Sequence, residues 1–210
     1  METAQLVTAF VTLFVVIDPI GMAPLFVALT QGMGREKRRA IALRACGIAA
    51  ILLTVFGLFG EAVLDFVGIS MPAFRIAGGI LLFLTALDML FERRSKRREN
   101  QARVSEEDPE DDPSVFPLAT PLIAGPGALA TMILLAGAPA AGWQTVLAVH
   151  LVMVAVLLLV LVLFLLGGLL ERALGPVGIN VVTRLLGMLL AALSVQYVLD
   201  GLRSFGVGAG

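Results

Sequence analysis

Two clusters hold residues that an apolar chain has little other reason to carry. The first reads Asp18-Pro19-Ile20-Gly21-Met22-Ala23-Pro24, and the second Thr120-Pro121-Leu122-Ile123-Ala124-Gly125-Pro126-Gly127. Each sets two prolines at the same spacing inside an apolar stretch. Proline lacks the backbone donor and clashes with the preceding turn, so a helix crossing either cluster is expected to break there. A break frees carbonyls at the end of one half-helix and amides at the start of the next. The carbonyl end attracts an ammonium group, Na⁺ or a proton carrier, and the amide end attracts a carboxylate. Two such breaks presented to one cavity suit a small zwitterion.

Asp18 is the most telling single residue. A carboxylate near the centre of a bilayer costs at least about 2.5–3.5 kcal/mol, so it is expected to be paired, neutral or hydrated. It can serve as a cation or proton site, and it can cap the second half-helix through the freed amides. Thr120 is its counterpart in the second cluster, which makes the site acid on one side and hydroxyl on the other. Thr131 is a further polar candidate, with its own helix backbone as the competing partner. The candidate binding set is therefore Asp18, Pro19, Gly21 and Pro24 with Thr120, Pro121, Gly125, Pro126, Gly127 and Thr131.

The elements that must position these residues follow from composition. The chain has 210 residues, 59% of them hydrophobic and 15% charged, against about 25% charged in soluble domains. The excess falls into runs of about 20 apolar residues, the length that crosses a hydrocarbon core of about 30 Å. Six spans are expected: Leu6 to Leu29, Ala40 to Val67, Met71 to Phe91, Phe116 to Ala136, Trp143 to Leu170 and Gly178 to Leu202. About three turns separate Leu6 from Ile17, which sets Asp18 roughly half-way across. Between the third and fourth spans, Glu92 to Pro113 mixes Arg93-Arg94, Lys96-Arg97-Arg98, Glu106-Glu107-Asp108 and Asp111-Asp112. With no apolar periodicity, it reads as a solvated linker.

The two halves look like one unit repeated. Beyond the paired prolines, Gly57 corresponds to Gly167, Glu61 to Glu171 and Gly68-Ile69 to Gly178-Ile179, all at one offset. After a one-residue gap, Arg75 corresponds to Arg184 and Gly78 to Gly187. Three spans per half force the second half to enter from the opposite side, as in secondary transporters with interrupted helices. The expected fold is all-α: residues 1–91 form the first three-helix repeat, 92–115 a charged cytoplasmic linker and 116–210 the inverted second repeat. The first and fourth helices are broken. Glu61 with Arg75, and Glu171 with Arg184, flank equivalent turns at opposite faces. They are candidate gating pairs, with interfacial snorkelling as the alternative.

Orientation follows from the basic residues. Arg35, Lys37, Arg38, Arg39, Arg44, Arg93, Arg94, Lys96, Arg97, Arg98, Arg103, Arg172 and Arg184 fall on one side, and only Arg75 and Arg203 on the other. The basic side is expected in the cytoplasm, with both termini outside. Acidic Glu2 replaces the basic start of a cleavable signal, so the first span is expected to stay in the membrane. The single cysteine, Cys46, excludes an intrachain disulfide. No metal-ligand spacing, nucleophile–base pair or phosphate-binding glycine loop is present, so no metal, cofactor or catalytic residue is expected. The expected partners are a small solute, H⁺ or Na⁺, and membrane lipid, without nucleic acid. Gly57-x-x-Gly60 permits close helix contacts within the chain or between copies.

The segment Asp18-Pro19-Ile20-Gly21-x-x-Pro24-Leu25-Phe26 resembles the first signature of the MarC family. Thr120-Pro121-Leu122-x-x-Gly125-Pro126-Gly127-x-x-Ala130-Thr131 resembles its second, and Arg75-x-x-Gly78-Gly79 extends the likeness along the chain. The acidic half of the linker departs from the pattern. The resemblance implies a bacterial inner-membrane protein in the broader LysE-like exporter grouping, whose members are proposed to move small neutral amino acids. A secondary transporter of a small zwitterionic solute is therefore the leading expectation. A non-transporting scaffold or assembly factor would instead have dry breaks and tolerate Asp18→Asn. A membrane enzyme acting on a lipid-borne substrate would need an interfacial catalytic constellation.

Overall fold

A computed structural model describes residues 3–94, 96–98, 112–137 and 142–206. The fold is all-helical, with no strand among the described residues. In chain order the helices are α1 (Thr3–Ile17), α2 (Pro19–Leu29), α3 (Arg35–Val67), α4 (Met71–Leu90), α5 (Ser114–Ile123), α6 (Pro126–Ala136), α7 (Trp143–Leu165) and α8 (Gly167–Ser204). Five stretches are long and apolar enough to cross a membrane: Thr3–Leu29, Arg35–Val67, Met71–Leu90, Trp143–Leu165 and Gly167–Ser204. The pair α5 and α6, bent by 55°, brings the number to six where the two count as one broken span.

Local chemistry explains the boundaries. Arg35 to Arg39 form the first turns of α3, so this helix runs beyond the apolar part of its span. Gly68 closes α3 in the left-handed conformation (φ 81°), where glycine carries no Cβ penalty. Ser70 caps α4 by accepting from the amide of Ala73. The sequence places a separation between spans at residues 171–177, and the backbone breaks there, leaving the helical region at Gly175 (φ 62°, ψ 173°) between two helical stretches of α8. A second boundary, at Leu166, closes α7 earlier than the sequence suggests. Pro176 directly follows the kink, where a missing donor matters least.

The core joins α1, α2 and the second cluster. Leu13, Ile17, Met22, Phe26, Leu118, Ile123, Met132 and Phe164 are all fully buried. Phe26 stacks on Phe164 with ring centroids 4.5 Å apart, fixing α2 against α7. Outward faces are apolar as well. Leu147, Leu151, Val154, Leu158, Val162 and Leu165 form an exposed stripe down α7. A stripe of this length suits hydrocarbon, since in water so large an apolar patch promotes association.

Helices packed together are mostly distant in sequence. The closest partners are α4 and α8. Small residues permit this approach: a Cβ on Gly79 would lie 2.8 Å from the Ser194 carbonyl, and one on Gly201 3.0 Å from that of Pro72. α3 packs on α5, α6 and α7, while α7 packs on α1, α2 and α3. The consecutive helices α3 and α4 barely touch, and neither do α7 and α8.

Candidate functional site

The first break is a single residue. Asp18 adopts a left-handed conformation (φ 57°, ψ 63°) between α1 and α2. The hydrogen-bond ladder almost runs through it: its amide donates to the Phe14 carbonyl at 2.9 Å, and its carbonyl accepts from Met22 at 3.1 Å. Pro19 sits at the first position of α2, and Pro24 lies inside α2. Only Pro24 removes an interior helix bond, so the interruption is smaller than two prolines alone suggest. The Asp18 carboxylate caps α2 by accepting from the Gly21 amide at 3.2 Å. A side chain on Gly21 would collide with that carboxylate, so the cap needs glycine there.

The second break is wider. Phe116 (φ −124°, ψ 129°) and Thr120 (φ −130°, ψ 124°) interrupt α5 with extended backbone ahead of Pro117 and Pro121, since a residue before proline is pushed from the helical region. α6 then starts at Pro126 with no side-chain cap. Gly125 lies so close to the Pro121 carbonyl that an added Cβ would stand 2.5 Å away. The amides of Gly127 and Ala128 stand in the first turn of α6, where the helix ladder offers no acceptor.

The two breaks meet. A Cβ on Gly127 would come within 3.3 Å of the Val16 side chain, at the end of α1. A cavity of about 240 Å³ opens there, lined by Val16, Thr85, Asp88, Arg94, Arg97, Arg98, Pro121, Gly125, Pro126, Gly127 and Ala128 among others. A second cavity, about 460 Å³, lies along α2 and α8 and is lined by Gly21, Pro24, Glu92, Lys96, Arg98, Glu171 and Asn180 among others. Arg98 borders both.

The partner of Asp18 comes from the stretch that reads as solvated linker. Asp18 and Arg98 are both buried, and the guanidinium lies 3.0 Å from the carboxylate. Arg98 also donates to the Ile17 carbonyl at 3.1 Å. Arg94, one turn earlier, donates to the Val16 carbonyl. The carbonyl end of α1 thus attracts cations, as half-helix polarity requires, and these cations belong to the protein. Thr183 of α8 approaches the second carboxylate oxygen at 3.5 Å. Burial pushes the Arg98 guanidinium below its ordinary range while Asp18 opposes the shift, and burial together with Arg98 lowers Arg94. The solvated-linker expectation therefore fails for Arg94 and Arg98. Residues 99–111, including Glu106, Glu107, Asp108 and Asp111, lie outside the described residues.

Residues 3–205 match the model of the MarC family integral membrane protein. The chain belongs to the MarC family. It is 36% identical to a UPF0056 membrane protein of Methanocaldococcus jannaschii over 97% of this chain and 98% of that protein. Identity to the MarC relative YvbG of Bacillus subtilis, a UPF0056 membrane protein, is also 36%, covering 97% and 96% of the two chains. The UPF0056 membrane protein YhcE of Escherichia coli is 33% identical, covering 92% and 90%. No solved structure matches.

In this MarC protein the expected residues divide. Pro121, Gly125, Pro126 and Gly127 line the first cavity and Gly21 and Pro24 the second, while Asp18 and Pro19 are buried and line neither. Thr120 is exposed and lines neither, because its extended backbone turns it away. Thr131 donates to the Gly127 carbonyl at 2.8 Å, so its hydroxyl serves its own helix. The gating pairs are not formed. Arg184 bridges to Glu92 at 2.6 Å and not to Glu171, and no ion pair joins Glu61 to Arg75 among the described residues. Sequence reading sets Asp88 at the interface, with a place along a pathway as the alternative, and misses Arg94, Arg97, Arg98 and Thr183 as site residues. Two signals pointed to the arginines: a buried carboxylate demands a cation, and Arg94 and Arg98 stand one helical turn apart just past α4.

Proposed function

We propose that this protein is a secondary transporter of a small zwitterionic solute resembling a neutral amino acid. The observation that carries this reading is the meeting of two interrupted helices at one cavity, with the carbonyl end of α1 beside the amide end of α6. The solute's carboxylate would take the bare amides of Gly127 and Ala128, and its ammonium group the carboxylates of Asp18 or Asp88. Asp18 would also couple transport to H⁺ or Na⁺. Packing supports two inverted repeats, 1–91 and 116–210: α3 lies on the second broken span as α7 lies on the first, and the third helices of both halves pair. The basic faces at the start of α3 and after α4 favour the cytoplasmic side of the bacterial inner membrane, with both termini outside. A carrier of this kind needs no catalytic residue.

Uptake of labelled glycine, alanine and serine into proteoliposomes, with and without a pH or Na⁺ gradient, tests the reading. Gradient-dependent accumulation in wild type and its loss in Asp18→Asn is the expected result. Saturating binding with no flux, or equal flux in protein-free vesicles, ends the proposal.

A further inference from the structure

The position an incoming ammonium group needs at the first break is already filled. Asp18 and the Ile17 carbonyl face the Arg98 guanidinium at 3.0 and 3.1 Å, and Arg94 takes the Val16 carbonyl. This cation arrives on a short reversal of the chain. α4 ends at Leu90, and Glu92 takes a left-handed conformation (φ 57°) without being glycine. Arg94 and Arg98, which follow, reach the last carbonyls of α1, and the Glu92 side chain is held by Arg184 of α8 at 2.6 Å. Outside this site the arginine segment has one further ion pair among the described residues, Arg97 to Asp88 at 3.0 Å.

We propose that Arg98 is a tethered competitor for the cation position at Asp18: the segment after α4 is a strap that seals the site, and a cationic group on the solute enters only when Arg98 withdraws. The inference rests on the carrier reading for the identity of the competing cation. An ammonium group can donate to the same carboxylate and carbonyl that the Arg98 fork occupies, so the two cations exclude one another there. The strap also borders both cavities, so its withdrawal joins them. The Glu92–Arg184 bridge is solvent-exposed, and exposed ion pairs hold weakly, so the closure can yield to a ligand.

Two measurements on the full-length protein in lipid test this. Hydrogen exchange of amides 93–98 is compared between wild type and Asp18→Asn without solute, and in wild type with saturating alanine. The expected results are faster exchange in Asp18→Asn and faster exchange on adding alanine, because each releases Arg98. Unchanged exchange in Asp18→Asn, or slower exchange with alanine, overturns the strap. Alanine transport is then measured in Arg98→Gln and Arg184→Gln. A strap closed nine-tenths of the time reduces apparent affinity about tenfold, so Arg98→Gln is expected to lower KM by about that factor. Arg184→Gln, which loosens the strap without touching Asp18, should shift KM the same way by less. A folded Arg98→Gln that loses transport or raises KM makes Arg98 part of the solute site and refutes competition. If Arg98→Gln fails to fold, Arg184→Gln and the wild-type exchange carry the decision. Absence of alanine, glycine and serine flux in every variant, with exchange still released by Asp18→Asn, sinks the carrier reading and leaves the strap standing.

Discussion

The two broken spans share paired prolines and solve the same problem in opposite ways. At the first, a charged residue interrupts the helix while Thr3–Leu29 remains one span, and arginines cover the bared carbonyls. At the second, no charge is present, the chain bends by 55° and the first-turn amides border a cavity. A carbonyl end can be closed by a long basic side chain carried on a neighbouring segment. The amide end has no such cover: α6 starts without a side-chain cap, and its first turn lines the cavity. The contrast explains why one break is sealed and the other open, although their proline spacing is identical.

The largest test of this contrast removes a side chain from each break. Arg98→Ala strands a buried carboxylate, which typically costs about 3–5 kcal/mol. Thr120→Val at the equivalent half should stay within about 0.5 kcal/mol, since Thr120 is exposed. Thermal melting in detergent measures both, and equal losses would contradict the asymmetry. A smaller effect is expected from the glycines. Gly125→Ala sets a methyl group against the rigid Pro121 carbonyl and should cost about 1–3 kcal/mol. Gly21→Ala drives a methyl group into the buried Asp18 carboxylate, which Arg98 and the α2 cap hold in place, and should cost at least as much.

The smallest effect concerns the start of the second break. Asp112 accepts from the Ser114 amide at 3.0 Å and pairs with Arg44 of α3. Slight burial works to raise its carboxyl, but the Ser114 amide and Arg44 prevail and hold it below the usual range. A depressed acid stabilises fully above the unfolded value of about 3.9 and loses that contribution as pH falls through the folded value. The melting gap between wild type and Asp112→Asn should therefore be constant from pH 7 to about 5 and close below about 4. This exposed tie should also weaken in salt, whereas the buried Asp18–Arg98 pair should not. A gap that widens in acid would reverse the assignment.

Much of this architecture is readable from residue order. Apolar runs specify the spans, because hydrocarbon demands a fixed length of helix, and doubled prolines locate both interruptions. Asp18 announces itself through the cost of burying a charge. Composition misleads where tertiary contact overrides it. Arg94 and Arg98 belong to a charged run that satisfies every criterion for solvent, and only the unmet demand of Asp18 draws them inward. Thr120 matches Asp18 by position, yet the backbone before Pro121 is extended and directs its side chain elsewhere. Gly175 and Pro176, by contrast, signal a break by type, and the backbone does leave the helical region there.

The reversal at Glu92 has a consequence for how this molecule responds to force. A non-glycine residue in the left-handed region is held by its surroundings and not by its own preference. Cut away from α1 and α8, the same short peptide would relax towards an extended or helical path. Contacts to α1 and α8 together hold the fold-back, and a tilt of α8 that carries Arg184 outward removes one of its ties.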